Sequence, residues 1–189
     1  MERHDPHSYF DPSQPKTLHI AFNWVIDFNQ RKISGEAILE LEKISEGPMD
    51  LDTKGLLIHS AQVQDGRTVD FELGDEEPIL GRRLRLQLPA GSKSIAIHYE
   101  TTAESVALQW LDPEMTAGKR FPFMYSQCQA IHARTIAPCQ DTPCVRISYS
   151  AAVTVPEGIT VVMSAGPAEN RPSGTTGSRQ YLSGHRSLL

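Results

Sequence analysis

The sequence predicts an all-β domain of antiparallel strands, arranged as a sandwich or as curved sheets. Three observations predict it. The dominant hydrophobic period is two rather than 3.6. Turn signals recur between short apolar runs, which suits many strands joined by tight connections. No stretch of the 189 residues carries a sustained helical stripe.

The clearest strand is the first. Leu18, Ile20, Phe22, Trp24, Ile26 and Phe28 occupy the even positions, with His19, Ala21, Asn23, Val25 and Asp27 between them. That alternation is a strand with one buried face. Asn29, Gln30, Arg31 and Lys32 form a polar turn, and Ile33, Gly35, Ala37, Leu39 and Leu41 alternate with Ser34, Glu36, Glu40 and Glu42. Two antiparallel strands joined by a short turn are expected here. Leu57, His59, Ala61 and Val63 make the next strand, followed by Asp65-Gly66. This dipeptide suits a hairpin because glycine tolerates positive φ. Val69, Phe71 and Leu73 return. Leu84, Leu86 and Leu88 form a strand that Pro89-Ala90-Gly91 is expected to end, and Ile95, Ile97 and Tyr99 form another. Val145, Ile147, Tyr149, Ala151, Val153 and Val155 alternate up to Pro156, and residues 159–164 read as a short apolar strand. Residues 165–179 are rich in Gly, Pro, Ser and Thr and read as a loop. Gln180, Tyr181 and Leu182 start a further strand. Residues 183–189 continue no pattern and read as a disordered tail, so the expected domain is 1–182.

Composition narrows the class. The net charge is −5, which argues against a nucleic-acid partner, since that needs a clustered positive surface. No run approaches the ~20 apolar residues of a membrane span. The first nineteen residues contain Glu2, Asp5 and Asp11 and no apolar core, unlike a signal peptide. Three cysteines, Cys128, Cys139 and Cys144, in such a chain read as reduced thiols of the cytosol.

Residues 107–144 differ from the rest, because amides, aromatics, an arginine and a proline-bounded corner crowd together. Cys128, His132, Cys139 and Cys144 are spaced by three, six and four residues. Structural zinc sites usually pair their ligands more closely, as C-x-x-C. A Cys128–His132 nucleophilic pair lacks an orienting third group at a recognisable spacing. The plainer reading of all three cysteines is that of small buried hydrophobes, and of His132 that of a packed, hydrogen-bonded residue. Gln127 and Gln129, two residues apart, place both amides on one face of an extended backbone. Such amides suit a peptide backbone or an ammonium group, and they equally suit the capping of neighbouring strands. Arg134 and Asp141 are placed to form a charge-assisted pair that fixes the turn, and Pro138 and Pro143 stiffen it. Residues 128–136 can hold one short helical turn, which Pro138 limits.

The run Ser126-Gln127-Cys128-Gln129-Ala130-Ile131-His132, then Arg134, then Pro138-Cys139-Gln140-Asp141-Thr142-Pro143, resembles the signature of the N-terminal domain of the M1 zinc aminopeptidases. Their pattern is Gln, one residue, Glu or Gln, then a downstream Arg and P-C-x-D-x-P. With Ala107-Leu108-Gln109-Trp110-Leu111 upstream, the run is most similar to the leukotriene A-4 hydrolase group, and next to aminopeptidase B. Leu51-Asp52-Thr53-Lys54, Val155-Pro156 and Val162-Met163-Ser164-Ala165 also fit, so the resemblance extends over residues 5–182.

The resemblance implies a saddle of β-sheets leaning over a separate zinc domain. It implies that Gln129 helps hold the α-amino group of a peptide, that Gln127 lines the same pocket and that Ala130 follows along its wall. Arg134, Pro138, Asp141 and Pro143 would support them. Relatives often carry Glu where Gln129 stands, so the neutral amide leaves more of the ammonium to acidic groups elsewhere. The family's zinc chemistry needs H-E-x-x-H on a helix, and no histidine of this sequence is followed by Glu. The segment that binds substrate as G-x-M-E-N is also missing. Neither catalytic residues nor metal ligands are therefore expected in this chain, and the polypeptide alone is expected to bind no zinc and hydrolyse nothing. Its expected partners are the N-terminus of a peptide and the absent zinc domain, with neither nucleic acid nor membrane. The expected parent activity is removal of N-terminal residues, together with epoxide hydrolysis as in the leukotriene A-4 hydrolase group. The alternatives are a non-catalytic β-sandwich interaction module and a nonfunctional truncated product.

Overall fold

The computed structural model describes residues 5–167 and 178–185. Ten strands make up the described fold: β1 Thr17–Asp27, β2 Lys32–Thr53, β3 Leu56–Val63, β4 Asp70–Leu73, β5 Arg82–Thr101, β6 Leu108–Leu111, β7 Phe123–Ser126, β8 Ser148–Val155, β9 Gly166–Pro167 and β10 Ser178–His185. Two 3-10 turns, Pro113–Met115 and Ala133–Thr135, are the helical pieces among the described residues. No helix there is long and apolar enough to cross a membrane.

The strands form an open sheet in the order β3-β5-β2-β1-β8-β10-β9, with β4 also on β5, and a separate β6–β7 ribbon. The all-β class read from the alternation is the observed one. Pairing is antiparallel except between β1 and β8, which run parallel with His19 opposite Ser148 and Trp24 opposite Val153. The sheet is thus mixed at this seam.

β1 follows its pattern from Ile20 on. Ile20, Phe22, Trp24 and Ile26 are buried and Val25 on the other face is exposed, whereas Leu18, expected on the buried face, is exposed beside a register shift between Thr17 and His19. Phe22 stacks on Trp24 with ring centroids 4.3 Å apart, and the Trp24 indole N–H donates to the Tyr99 hydroxyl at 2.8 Å. Burial holds the Tyr99 hydroxyl far above the usual tyrosine range. Together with Ala37, Leu39, Ile95, Ile97, Tyr149 and Val153, these side chains form one continuous core.

Several expectations need correction. β2 does not stop after Leu41 but runs on to Thr53. Register shifts against β5 between Glu40 and Gly47 absorb the irregular stretch. Pro89-Ala90-Gly91 does not end a strand either, since β5 passes through it, and the two strands expected there are one. In β3, Leu57 is exposed while Leu56, Ala61 and Val63 are buried. A register shift between Ile58 and Ser60 reverses which face looks inward, because one extra residue in a strand flips every later side chain. Residues 159–164 form no ladder. At the end of the chain, β10 pairs antiparallel with β8 through His185. The strand expected at 180–182 thus continues through three residues that were read as tail. The remainder of that tail, 186–189, and most of the 165–179 loop lie outside the described residues.

Candidate functional site

The candidate segment begins where β7 stops. Phe123–Ser126 pairs with β6, the Gln127 N–H donates to the Ala107 carbonyl at 2.9 Å, and the chain then leaves the ladder. Gln127, Gln129 and Ala130 are all exposed. The Gln127 side-chain carbonyl accepts the Gln129 backbone N–H at 2.9 Å, and the Gln129–Ala130 peptide is cis. The two amides therefore sit on a folded turn rather than on the extended backbone that their spacing suggested. His132 closes this turn by donating its N–H to the Cys128 carbonyl at 2.8 Å.

Immediately behind it the environment changes. Every residue from Ala133 to Thr142 is buried. Arg134 has no exposed side-chain surface, so its charge needs partners inside the fold. Its Nε donates to Asp141 Oδ2 at 3.0 Å, one Nη to the Leu80 carbonyl at 2.9 Å and the other to the His7 carbonyl at 2.7 Å. A second carboxylate, Asp52, lies 3.5 Å from the guanidinium. Asp52 accepts from the Ser8 hydroxyl at 2.6 Å, the Tyr9 N–H at 2.8 Å and the Asp141 N–H at 2.9 Å. Burial pushes the Asp52 carboxyl above the usual aspartate range, against the pull of Arg134 and these donors.

Backbone bonds complete the corner. The Asp52 N–H donates to the Cys139 carbonyl at 2.8 Å, and the Lys54 N–H donates to the Arg134 carbonyl at 3.0 Å. Gln140 ties the corner to the start of β1, donating to the Pro15 carbonyl at 2.8 Å and accepting the Thr17 N–H at 3.0 Å. Pro138 is buried within the corner and Pro143 lies exposed at its end. Sequence reasoning singled out Arg134 and Asp141 but missed Asp52, Ser8 and Gln140. The available signal for Asp52 was two carboxylates, Asp50 and Asp52, alternating with Met49 and Leu51 in an apolar stretch.

Beneath the ribbon lies an apolar cavity of about 660 Å³, walled by Phe22, Trp24, Phe123, Tyr149 and Val161 among others. Ser126 and Cys128 face it, whereas Gln127 and Gln129 do not. Burial, with the Asp141 charge adding to it, pushes the Cys128 thiol up to about 11. A protonated thiol is a poor nucleophile, which weighs against the Cys128–His132 pair. Cys139 is buried and Cys144 is exposed. Among the described residues no group of three or more His, Cys, Asp or Glu side chains is gathered to hold a metal ion, so Cys128, His132, Cys139 and Cys144 do not make a zinc site.

An open β-sheet domain carrying this corner and its exposed amide turn matches the peptidase M1 N-terminal domain over residues 14–182, and the chain belongs to that family. Within it, the chain is similar to leukotriene A-4 hydrolase of Xenopus laevis, 38% identical over 168 residues that cover 85% of this chain and 27% of that protein. Leucine aminopeptidase 2 of Sclerotinia sclerotiorum is 34% identical over 160 residues, covering 80% of this chain and 26% of the relative. The chain thus spans about a quarter of the length of these relatives. Among solved structures, yeast LTA4 hydrolase in complex with bestatin superposes with a TM-score of 0.84 at 28% identity, over 96% of this chain and 28% of that one.

Proposed function

We propose that this chain is the substrate-recognition domain of a zinc aminopeptidase of the leukotriene A-4 hydrolase type, in which Gln127, Gln129 and Ala130 receive the free N-terminus of a peptide. The observation that carries this reading is an exposed pair of amides mounted directly on a buried, charge-locked corner. Binding groups are most effective when a rigid shell holds them. An amide oxygen accepts from an ammonium, and a neutral Gln129 does so without adding charge. Family membership supports peptidase work for the parent protein, and the relatives that carry the hydrolase name extend the reading to an epoxide substrate. Zinc and the hydrolytic step belong to a separate domain that would pack beside the turn. The three free thiols suit the cytosol.

The test is Gln129→Ala in the intact parent enzyme. KM for a tripeptide is expected to rise about tenfold, the worth of one hydrogen bond to a charged group, with the melting temperature unchanged. Unaltered kinetics would remove the amine-binding role. A second reading, a non-catalytic interaction module, draws on the apolar cavity beneath β7. A chain that melts cooperatively as a monodisperse species yet ignores peptide N-termini would favour it.

A further inference from the structure

We infer that Gln127 is a positioning residue for the peptide amine: its side chain aims Gln129 through the Gln129 backbone. The inference rests on the amine-site reading above and assigns the two amides different tasks.

A glutamine side chain offers a carbonyl oxygen with two lone pairs and two N–H donors. In Gln127 that oxygen accepts the N–H of Gln129 at 2.9 Å. The bond fixes the amide orientation unambiguously, because a backbone N–H can only be met by the oxygen. Its NH2 group, as a donor, cannot hold an ammonium, and its oxygen keeps one lone pair. Gln129 differs, since no hydrogen bond of its side chain is formed among the described residues. Its carbonyl keeps both lone pairs for the amine.

The fold does not need the Gln127–Gln129 bond for stability. It lies on an exposed turn, where such a bond contributes little, and the buried corner starts only at Ala133. Its effect is local. With the Gln127 N–H anchored on Ala107 and the Gln129 N–H anchored on the Gln127 side chain, the direction in which the Gln129 side chain leaves the backbone is set before a peptide arrives. Preorganisation of this kind reduces the ordering cost of binding.

The experiment uses the full 189-residue chain, ¹⁵N-labelled and titrated with Leu-Gly-Gly and with N-acetyl-Leu-Gly-Gly. In the wild type, only the free-amine peptide is expected to move the Gln129 resonances. Gln127→Glu keeps a carboxylate oxygen as acceptor, so the Gln129 N–H should stay at its downfield position and binding should be no weaker than wild type. Gln127→Leu removes the acceptor. The Gln129 N–H should then move upfield and Kd rise about tenfold, with the rest of the spectrum unchanged. If Gln127→Glu weakens binding as much as Gln127→Leu does, the outward NH2 is the working group and the inference is overturned. It is equally overturned if Gln127→Leu leaves both the Gln129 shift and Kd as they were. Gln129→Ala separates the two levels. If it has no effect on binding, or if the wild type fails to distinguish the two peptides, the amine site itself is wrong and the inference falls with it. A loss with Gln129→Ala beside an indifferent Gln127→Leu sinks the inference alone.

Discussion

A guanidinium without exposed surface has to be neutralised from within, and Arg134 is met by carboxylates from two distant parts of the chain. Asp141 is seven residues away and Asp52 reaches it from β2. Removing the cation would leave two buried carboxylates facing one another, and breaking a buried pair by deleting one partner costs about 3–5 kcal/mol. Arg134→Ala is expected to lower unfolding stability by that amount in urea titrations, and a loss below ~1 kcal/mol would show that water reaches the corner. Asp50 behaves differently from Asp52. Burial raises its pKa, but Arg85 and Gln14, bonding at 2.7 and 2.9 Å, outweigh burial and hold it below the usual aspartate range. A lowered folded pKa stabilises the fold above the unfolded value near 3.8, and this is lost as pH falls through the folded value. Asp50→Asn should therefore flatten the acid limb of stability below about pH 4 while lowering stability at neutral pH. An acid limb identical to that of the wild type would refute the assignment. At this scale the sequence was partly legible. Arg134 and Asp141 stand out in a dense motif, whereas Asp52 lies 89 residues from Asp141 in a strand whose alternation had lapsed, and nothing local marks its partner.

Among the elements, regular strands were readable and irregular ones were not. β1 shows its buried face in its letters from Ile20 on, because its register shift falls before that point, between Thr17 and His19. The register shift after Ile58 put Leu57 outside and Ala61 inside, which a uniform period of two cannot anticipate. The extension of β2 past Leu41 was hidden because Lys43 to Pro48 obey no period. Gly35 is a feature of the β1–β2 pair that alternation treats as merely small. Its φ is +146°, and an added Cβ would lie 1.9 Å from the Asn23 carbonyl oxygen. Neither a rotamer change nor a side-chain shift relieves a clash with backbone. Gly35→Ala is expected to cost at least ~2 kcal/mol, read as a lowered urea midpoint. A fully stable variant would mean that β1 can slide away from β2 without loss. The amide turn shows the same limit. The spacing of Gln127 and Gln129 was legible, but their departure from the strand at Ser126 was not, because the residues that enforce it are the buried corner behind.

For the molecule as a whole, the all-β class followed from periodicity, and the family from the motif at residues 126–143. The parallel pairing of β1 with β8 did not follow, since alternation looks alike in parallel and antiparallel strands. That seam also sets an order in time. β1 and β2 meet across a turn of four residues, 28–31, whereas His19 and Ser148 are 129 residues apart. Loop closure makes the second meeting roughly 3 kcal/mol more costly in chain entropy, so the hairpin can form early and β8 must dock late. Ile33→Val, beside the turn, should slow refolding in stopped-flow measurements. Val153→Ala, in the seam, should leave the refolding rate nearly unchanged and speed unfolding instead. Equal slowing by both would place the seam in the nucleus. If docking is late, a ribosome has already released most of this chain before β1 finds its second neighbour, and for that interval the face carrying Phe22 and Trp24 is what a chaperone would meet.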